Sequence, residues 1–227
     1  MITAAVQDYL KAIYKLGQSG WVSTNAIAQR MKVAPASVTK MLKRLSARGL
    51  VTHTPYRGVR LTPKGERAAL EVIRHHRLVE RYLADHLGLP VEAVHAEAER
   101  LEHVLSELLE EHIAASLGDP SVDPHGDPIP SREGELRERR LPRLSEILEG
   151  TVCVVRVRDS DVRTLRELCA WACFRAGGPR SWGAVRTVGW KSSSPPGPWC
   201  GLGGGWQKAS SWRRRREAVP PPPRDPP

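Results

Sequence analysis

The stretch Pro35-Ala36-Ser37-Val38-Thr39-Lys40-Met41-Leu42-Lys43-Arg44-Leu45 sorts its residues by chemistry at helical spacing. Val38, Met41, Leu42 and Leu45 recur at intervals of three and four and form one apolar stripe. Ser37, Thr39, Lys40, Lys43 and Arg44 are left outward. Pro35 suits the first helical position because it has no N–H to lose, and Gly49 stops the helix. Working upstream, Lys32-Val33-Ala34 is a short turn after a second helix, capped by Ser23 or Thr24 and running through Met31 with Ile27 and Ala28 inward. Val6, Leu10, Ile13, Tyr14 and Leu16 predict a first helix from about Thr3 to Gly17. Downstream, Leu50 to Thr62 reads as two short alternating strands around a Tyr56-Arg57-Gly58 tip, a β-hairpin wing. Residues 1–70 are therefore expected to be a winged helix-turn-helix. Hydroxyls and cations on its third helix suit base edges and phosphates in a major groove. Arg57 and Arg60 suit the sugar-phosphate backbone, which sets affinity and register. Pro35 and Tyr56 complete the candidate DNA-contact set.

Charge supports this division. The net charge of +10 is the sum of +10 over residues 1–70, −9 over 71–150 and +9 over 151–227. A basic head followed by an acidic middle suggests a polyanion for the first and cations for the second. No apolar run reaches the length of a membrane span, and the N-terminus enters an amphipathic helix directly, so no membrane partner and a cytoplasmic location are expected. The four cysteines form no Cys-x-x-Cys pair, which argues against a zinc ribbon or a disulfide framework.

The acidic middle centres on Val94-His95-Ala96-Glu97-Ala98-Glu99-Arg100-Leu101-Glu102-His103. Read as one helix, it places Glu99, Glu102 and His103 on one face, with His95 a turn earlier. Two carboxylates and an imidazole can hold a divalent cation, and carboxylate oxygen favours manganese and ferrous iron over thiolate-seeking metals. Leu101, Val104, Leu105, Leu108, Leu109 and Ile113 form the opposite, apolar stripe. The bland reading is an acidic surface helix carrying a chance histidine. Before it, a fourth helix runs from Pro63 to about His86, with His76 and Glu80 facing the same way.

Several motifs in order carry a family resemblance. They are Asp8-Tyr9-Leu10-Lys11-Ala12-Ile13-Tyr14, Ala36-Ser37-Val38-Thr39-Lys40-Met41, Tyr56-Arg57-Gly58-Val59, Leu61-Thr62-Pro63-Lys64-Gly65, His75-His76-Arg77-Leu78-Val79-Glu80-Arg81 and the Val94–His103 stretch. Over about residues 3–168 the chain resembles the metal-dependent repressors of the diphtheria-toxin-repressor and manganese-transport-repressor family. The resemblance implies a mainly α protein: an N-terminal winged helix-turn-helix, a helical metal-binding and dimerisation domain over 71–140, and a partial C-terminal SH3-like (FeoA-like) β domain over 141–168. It implies a homodimeric transcriptional regulator, not an enzyme, on a pseudo-palindromic double-stranded operator, with the fifth helix at the dimer interface. By the same resemblance Asp8, Glu99, Glu102 and His103 hold one ion. Lys11 departs from a carboxylate found in one manganese-sensing branch, which speaks against that branch's two-ion cluster. A second ion would take His76 and Glu80, completed either by Asp123 and His125 or by His95, with Asp159 a weaker candidate. The expected cofactor is Mn(II), with Fe(II) as the alternative. His75, His86 and His112 have no such support and are expected to be surface or packing residues.

Thr151 to Val157 reads as a strand and Ser160 to Leu168 as a helix. Beyond Cys169, six of the seven tryptophans fall between 171 and 212, leucine occurs once and isoleucine never, which leaves too little apolar surface for a core. A shifted reading frame after about residue 168 or a native disordered tail over 169–227 would each account for this. Two rival functions remain: a winged-helix regulator sensing an organic ligand, and a metal hydrolase using the Glu-x-x-His run. The first needs an apolar pocket between head and dimer helices. The second lacks a nucleophile and general base beside that run.

Overall fold

In the computed structural model, the described residues are 2–137, 141–143, 146, 150–153, 155–157, 163, 165–166, 184–187, 199–201 and 206–208. Helix α1 (Ala4–Leu16) leads through a single 3-10 turn to α2 (Thr24–Met31) and α3 (Pro35–Ala47). Ser23 caps α2, its hydroxyl accepting from Ala26 N–H. Lys32 then adopts a left-handed conformation that turns the chain toward Pro35. Strands β1 (Val51–Thr54) and β2 (Gly58–Leu61) pair antiparallel, Val51 opposite Leu61 and Thr54 opposite Gly58. Val22 adds a third rung to this wing by exchanging two backbone hydrogen bonds with Val59.

The head closes over Leu10, Ile13, Ile27, Val38, Leu42, Leu45 and Val59, each essentially inaccessible to water. Each such burial is worth about 1.5–3 kcal/mol. The expected winged helix-turn-helix is present, helix for helix.

Helix α4 (Pro63–Asp85) is the spine shared by both halves. Its N-cap Thr62 accepts from Gly65 N–H and donates its hydroxyl to the Gly49 carbonyl. A side chain at position 65 would collide with the Leu50 carbonyl, so the glycine permits the close approach of helix and wing. Ala69 belongs to the head core, whereas Leu78, Val79 and Leu83 pack in the second half. The expected boundary between residues 70 and 71 thus falls inside a continuous helix.

One expectation fails here. Residues 94–113 are not a single helix but α5 (Val91–Leu101) and α6 (Glu107–Ser116). The cause is Ser106, extended in backbone, whose hydroxyl accepts from Leu109 N–H and so starts a new helix. Of the apolar stripe, Ile113 is buried and Leu105 half-buried, while Leu101, Val104, Leu108 and Leu109 are exposed.

Residues Met1–Arg140 and Val155–Arg166 make one compact unit, and Leu141–Val154 with Glu167–Pro227 a second. In the second, β3 (Gly150–Cys153) pairs antiparallel with β4 (Ala184–Thr187), and β5 (Trp199–Gly201) with β6 (Trp206–Lys208). The strand expected over 151–157 is shorter, because Val155–Val157 are engaged elsewhere. Val157 N–H donates to the His125 carbonyl, and the Arg156 guanidinium pairs with Asp127. Of the helix expected over 160–168, Arg163, Leu165 and Arg166 are helical. The rest of it, Asp159, and most of 169–227 lie outside the described residues. No helix among the described residues is long and apolar enough to cross a membrane.

Candidate metal centre and DNA-contact surface

The second half buries charge. Glu80, Glu102 and His125 are wholly inaccessible, His75, His76, Glu110 and Asp123 are nearly so, and Lys11 joins them from α1 of the head. An unpaired buried charge is far costlier than a paired one, so each of these must be matched.

At one pole, α1 meets the break between α5 and α6. Asp8 Oδ1 lies 2.9 Å from His103 Nε2, and Glu102 Oε1 lies 3.5 Å from the same nitrogen. His103 Nδ1–H donates to the Gln7 amide oxygen at 2.8 Å, which fixes the ring and aims Nε2 at the carboxylates. Burial pushes the Asp8 carboxyl up, His103 opposes this, and the charges of Glu102 and Glu99 add to it.

Beside this pole stands the Lys11 ammonium, 2.8 Å from Glu99 and 2.7 and 2.9 Å from the two Glu102 oxygens. It explains why Glu99 does not join the Asp8 group as expected: its carboxylate is turned to Lys11. Asp8, Glu102 and His103 come together, while Glu99 groups with Glu102 and His76. Burial would raise the Glu99 carboxyl, but Lys11 outweighs it and lowers it.

His76 bridges to the other pole, Nδ1 being 2.6 Å from Glu102 and Nε2 3.0 Å from Glu80. Both candidate partner sets converge on Glu80. His95 Nδ1 is 2.9 Å from Glu80 Oε1, and His125 Nδ1 is 3.6 Å from Glu80 Oε2. Burial alone would raise the Glu80 carboxyl, yet His125, His76 and His95 hold it well below the usual carboxylate range. Asp123 shapes the loop from within: its Oδ1 accepts from the N–H groups of His125 and Asp127. Burial first, then the charges of Glu80 and Asp127, push its carboxyl up to about 7.

This donor set fits a divalent cation. Glu80 Oε2 is buried and accepts no hydrogen bond, a cost that a cation would remove. His125 donates Nε2–H to the Val91 carbonyl, so Nδ1 faces that same oxygen. Oxygen and nitrogen donors without thiolate suit Mn(II) or Fe(II). The interior between head and dimerisation half is thus lined by ionisable groups, where an organic-ligand sensor would need an apolar pocket.

Gln7, Arg74 and Glu110 escaped sequence reading. Gln7 belongs to none of the motifs in the sequence. His75 and Glu110 form a buried pair, Nε2 to Oε2 at 2.8 Å, which Arg74 completes at 2.5 Å. His75 Nδ1 also reaches the Glu102 carbonyl at 3.3 Å. His75 is therefore buried and structural, while His112 is exposed and bonded to its own helix, and exposed His86 stacks on Tyr82.

On the head, Pro35, Ser37, Lys40, Lys43 and Arg44 are exposed along α3. Thr39 is half-buried, and its hydroxyl donates to the Pro35 carbonyl, so it is spent on its own helix. Arg57 and Arg60 are exposed on the wing. Tyr56 stands fully in solvent at the tip with φ 63°, a strained choice for a bulky residue.

Two family models match the chain. Residues 1–59 match the N-terminal DNA-binding domain of iron-dependent repressors, and residues 62–131 their metal-binding and dimerisation domain. The iron-dependent repressor IdeR of Mycobacterium tuberculosis H37Rv is 39% identical over 158 residues, which cover 66% of this chain and 69% of that one. The diphtheria toxin repressor of Corynebacterium diphtheriae is 40% identical over 123 residues, 54% of each chain. Among solved structures, a manganese-dependent transcriptional repressor in complex with manganese is 36% identical with a TM-score of 0.70, covering 81% of this chain and 83% of that one. ScaR with bound Cd2+ is 34% identical with a TM-score of 0.67, covering 82% and 85%.

Proposed function

We propose, given that the chain belongs to the iron-dependent repressor family and is a metal-responsive DNA-binding transcriptional regulator, that Mn(II), ahead of Fe(II), is its activating ion and that a homodimer is the active form. Asp8, Glu102 and His103 hold the ion that gates DNA binding, with Glu99 adjoining through Glu102. His76 and Glu80 hold a second ion with His95 or with Asp123 and His125. The exposed Leu101, Val104, Leu108 and Leu109 form the dimer face.

The observation that carries this reading is the meeting of Asp8, on the first helix of the head, with Glu102 and His103 at the break before the dimer face. A bound divalent cation supplies the positive charge that draws these three side chains together. Asp8 then ties the head to the dimerisation half, and the two α3 helices of a dimer are held at one spacing for successive major grooves. Affinity for metal and for DNA must rise by the same factor, typically about 5–150-fold.

The test uses a duplex selected from a random library with Mn(II) present. Wild type should bind it far better with Mn(II) than with chelator, and less strongly with Fe(II) or Zn(II) at equal free concentration. Asp8→Ala and Glu102→Ala should remain folded dimers without metal stimulation. Undiminished stimulation in both variants overturns the gating site. Stronger activation by Fe(II) overturns the choice of manganese alone.

A further inference from the structure

The head contains one tryptophan, Trp21, and it is not part of the head's apolar core. It is half-buried beside the wing, on the short segment between the 3-10 turn and α2. The next residue fixes that place. Val22 exchanges hydrogen bonds of 2.8 and 2.9 Å with Val59, the second residue of β2. Gly58, at φ 112°, allows it: a Cβ there would lie 2.3 Å from the Val22 carbonyl oxygen. The indole is thus anchored, through the main-chain bonds of its neighbour Val22, to the strand that carries Arg60 and directly follows Arg57.

Both arginines use the indole. The Arg57 guanidinium carbon lies 4.7 Å from its ring centroid and that of Arg60 5.7 Å. Planar, weakly hydrated guanidinium groups are the cations best suited to an aromatic face. Neither arginine makes an ion pair among the described residues, and both are exposed. Two like charges gathered at one ring repel each other, and an anion set between them removes that repulsion.

We propose that Trp21 is the positioning residue of the wing, a π-faced shelf that holds Arg57 and Arg60 as a pre-formed clamp for DNA phosphate oxygens. It touches the cations, not the nucleic acid. The ring restricts two long side chains before DNA arrives, so less freedom is lost on binding. Wing phosphate contacts are sequence-independent, so the shelf raises affinity for every duplex rather than selecting one. This rests on the reading of the head as a DNA-binding domain but not on metal gating.

The two are tested apart by measuring non-specific binding of a 30-base-pair random duplex, a length of about three helical turns, at low salt with chelator present. Trp21→Leu keeps apolar bulk but removes the π face, and is expected to weaken binding roughly tenfold with an unchanged unfolding midpoint. Trp21→Phe should recover most of the loss. In a background of Arg57→Ala with Arg60→Ala, Trp21→Leu should cost nothing further, because the groups it orders are gone. The plot of log affinity against log salt should also be shallower for Trp21→Leu by up to about two phosphate contacts. An equal loss with and without the two arginines, or wild-type affinity in Trp21→Leu, overturns the proposal. Loss of Mn(II) stimulation with this cycle intact would count only against the gating site.

Discussion

The head and the metal-binding half solve opposite problems with the same helix α4. Around α3 of the head, apolar side chains are inside and the charges face solvent: Leu42 is fully buried, and Lys40, Lys43 and Arg44 are exposed. In the second half, carboxylates and imidazoles are inside, joined by the Lys11 ammonium from α1, while Leu101, Val104, Leu108 and Leu109 face outward. The head's stability therefore comes from packing and is indifferent to ions. That of the second half depends on how its buried charges are matched. A cation can act where charge is buried, which is the second half together with Asp8 and Lys11 of α1.

The contrast breaks most sharply at Lys11. Lys11→Met keeps length but removes the ammonium from Glu99 and Glu102, and should destabilise the metal-free protein by about 3–5 kcal/mol. Mn(II) should then restore more stability to this variant than it adds to wild type. Equal gains from Mn(II) in urea unfolding of both proteins would refute the idea that buried charge is balanced there by whichever cation is present. In the head, Leu42→Ala should cost about 2–5 kcal/mol by leaving a cavity. Here the gain from Mn(II) should equal that of wild type, because nothing at the site has changed.

A smaller effect sharpens the comparison through pH. The His75 hydrogen bond holds the Glu110 carboxyl low; burial opposes this and Arg74 assists it. A depressed carboxyl stabilises the fold above its unfolded value, near 4.5, and the contribution is lost as pH falls through the folded value. Glu110→Gln should thus cost about 1.5–3 kcal/mol at neutral pH, and its curve should approach that of wild type in acid. A gap that stays constant down to about pH 3 would show that the charge of Glu110 is not what matters.

The head was legible because period alone specifies it. Val38, Leu42 and Leu45 are buried where three- and four-residue spacing puts them, and Ser23, Pro35 and Thr62 start helices as their chemistry predicts. The second half was legible by residue type and less so by geometry. Glu102, His103, His76 and Glu80 were recognisable by type as candidate ligands and are brought close together, but one unbroken helix was expected where Ser106 interrupts it. Serine is tolerated inside a helix, so a single capping residue among good helix formers is a weak signal. Gln7 with His103, and His75 with Glu110, join positions far apart in the chain, which spacing along a helix cannot reveal. Trp21 was invisible for the same reason: its partners lie across the Val22–Val59 bridge.

Gly126 carries one more implication. Its missing side chain lets the Val155 carbonyl come so close that a Cβ would lie 1.9 Å away, and the neighbouring His125 carbonyl accepts from Val157 N–H. Among the described residues, the contacts shown between this loop and residues 155–157 join peptide groups, together with the Arg156–Asp127 pair. Mutational tolerance across it should be lopsided. Positions 155 and 157 can drift among many residue types, while even alanine at 126 would unseat the turn that carries Asp123 and His125.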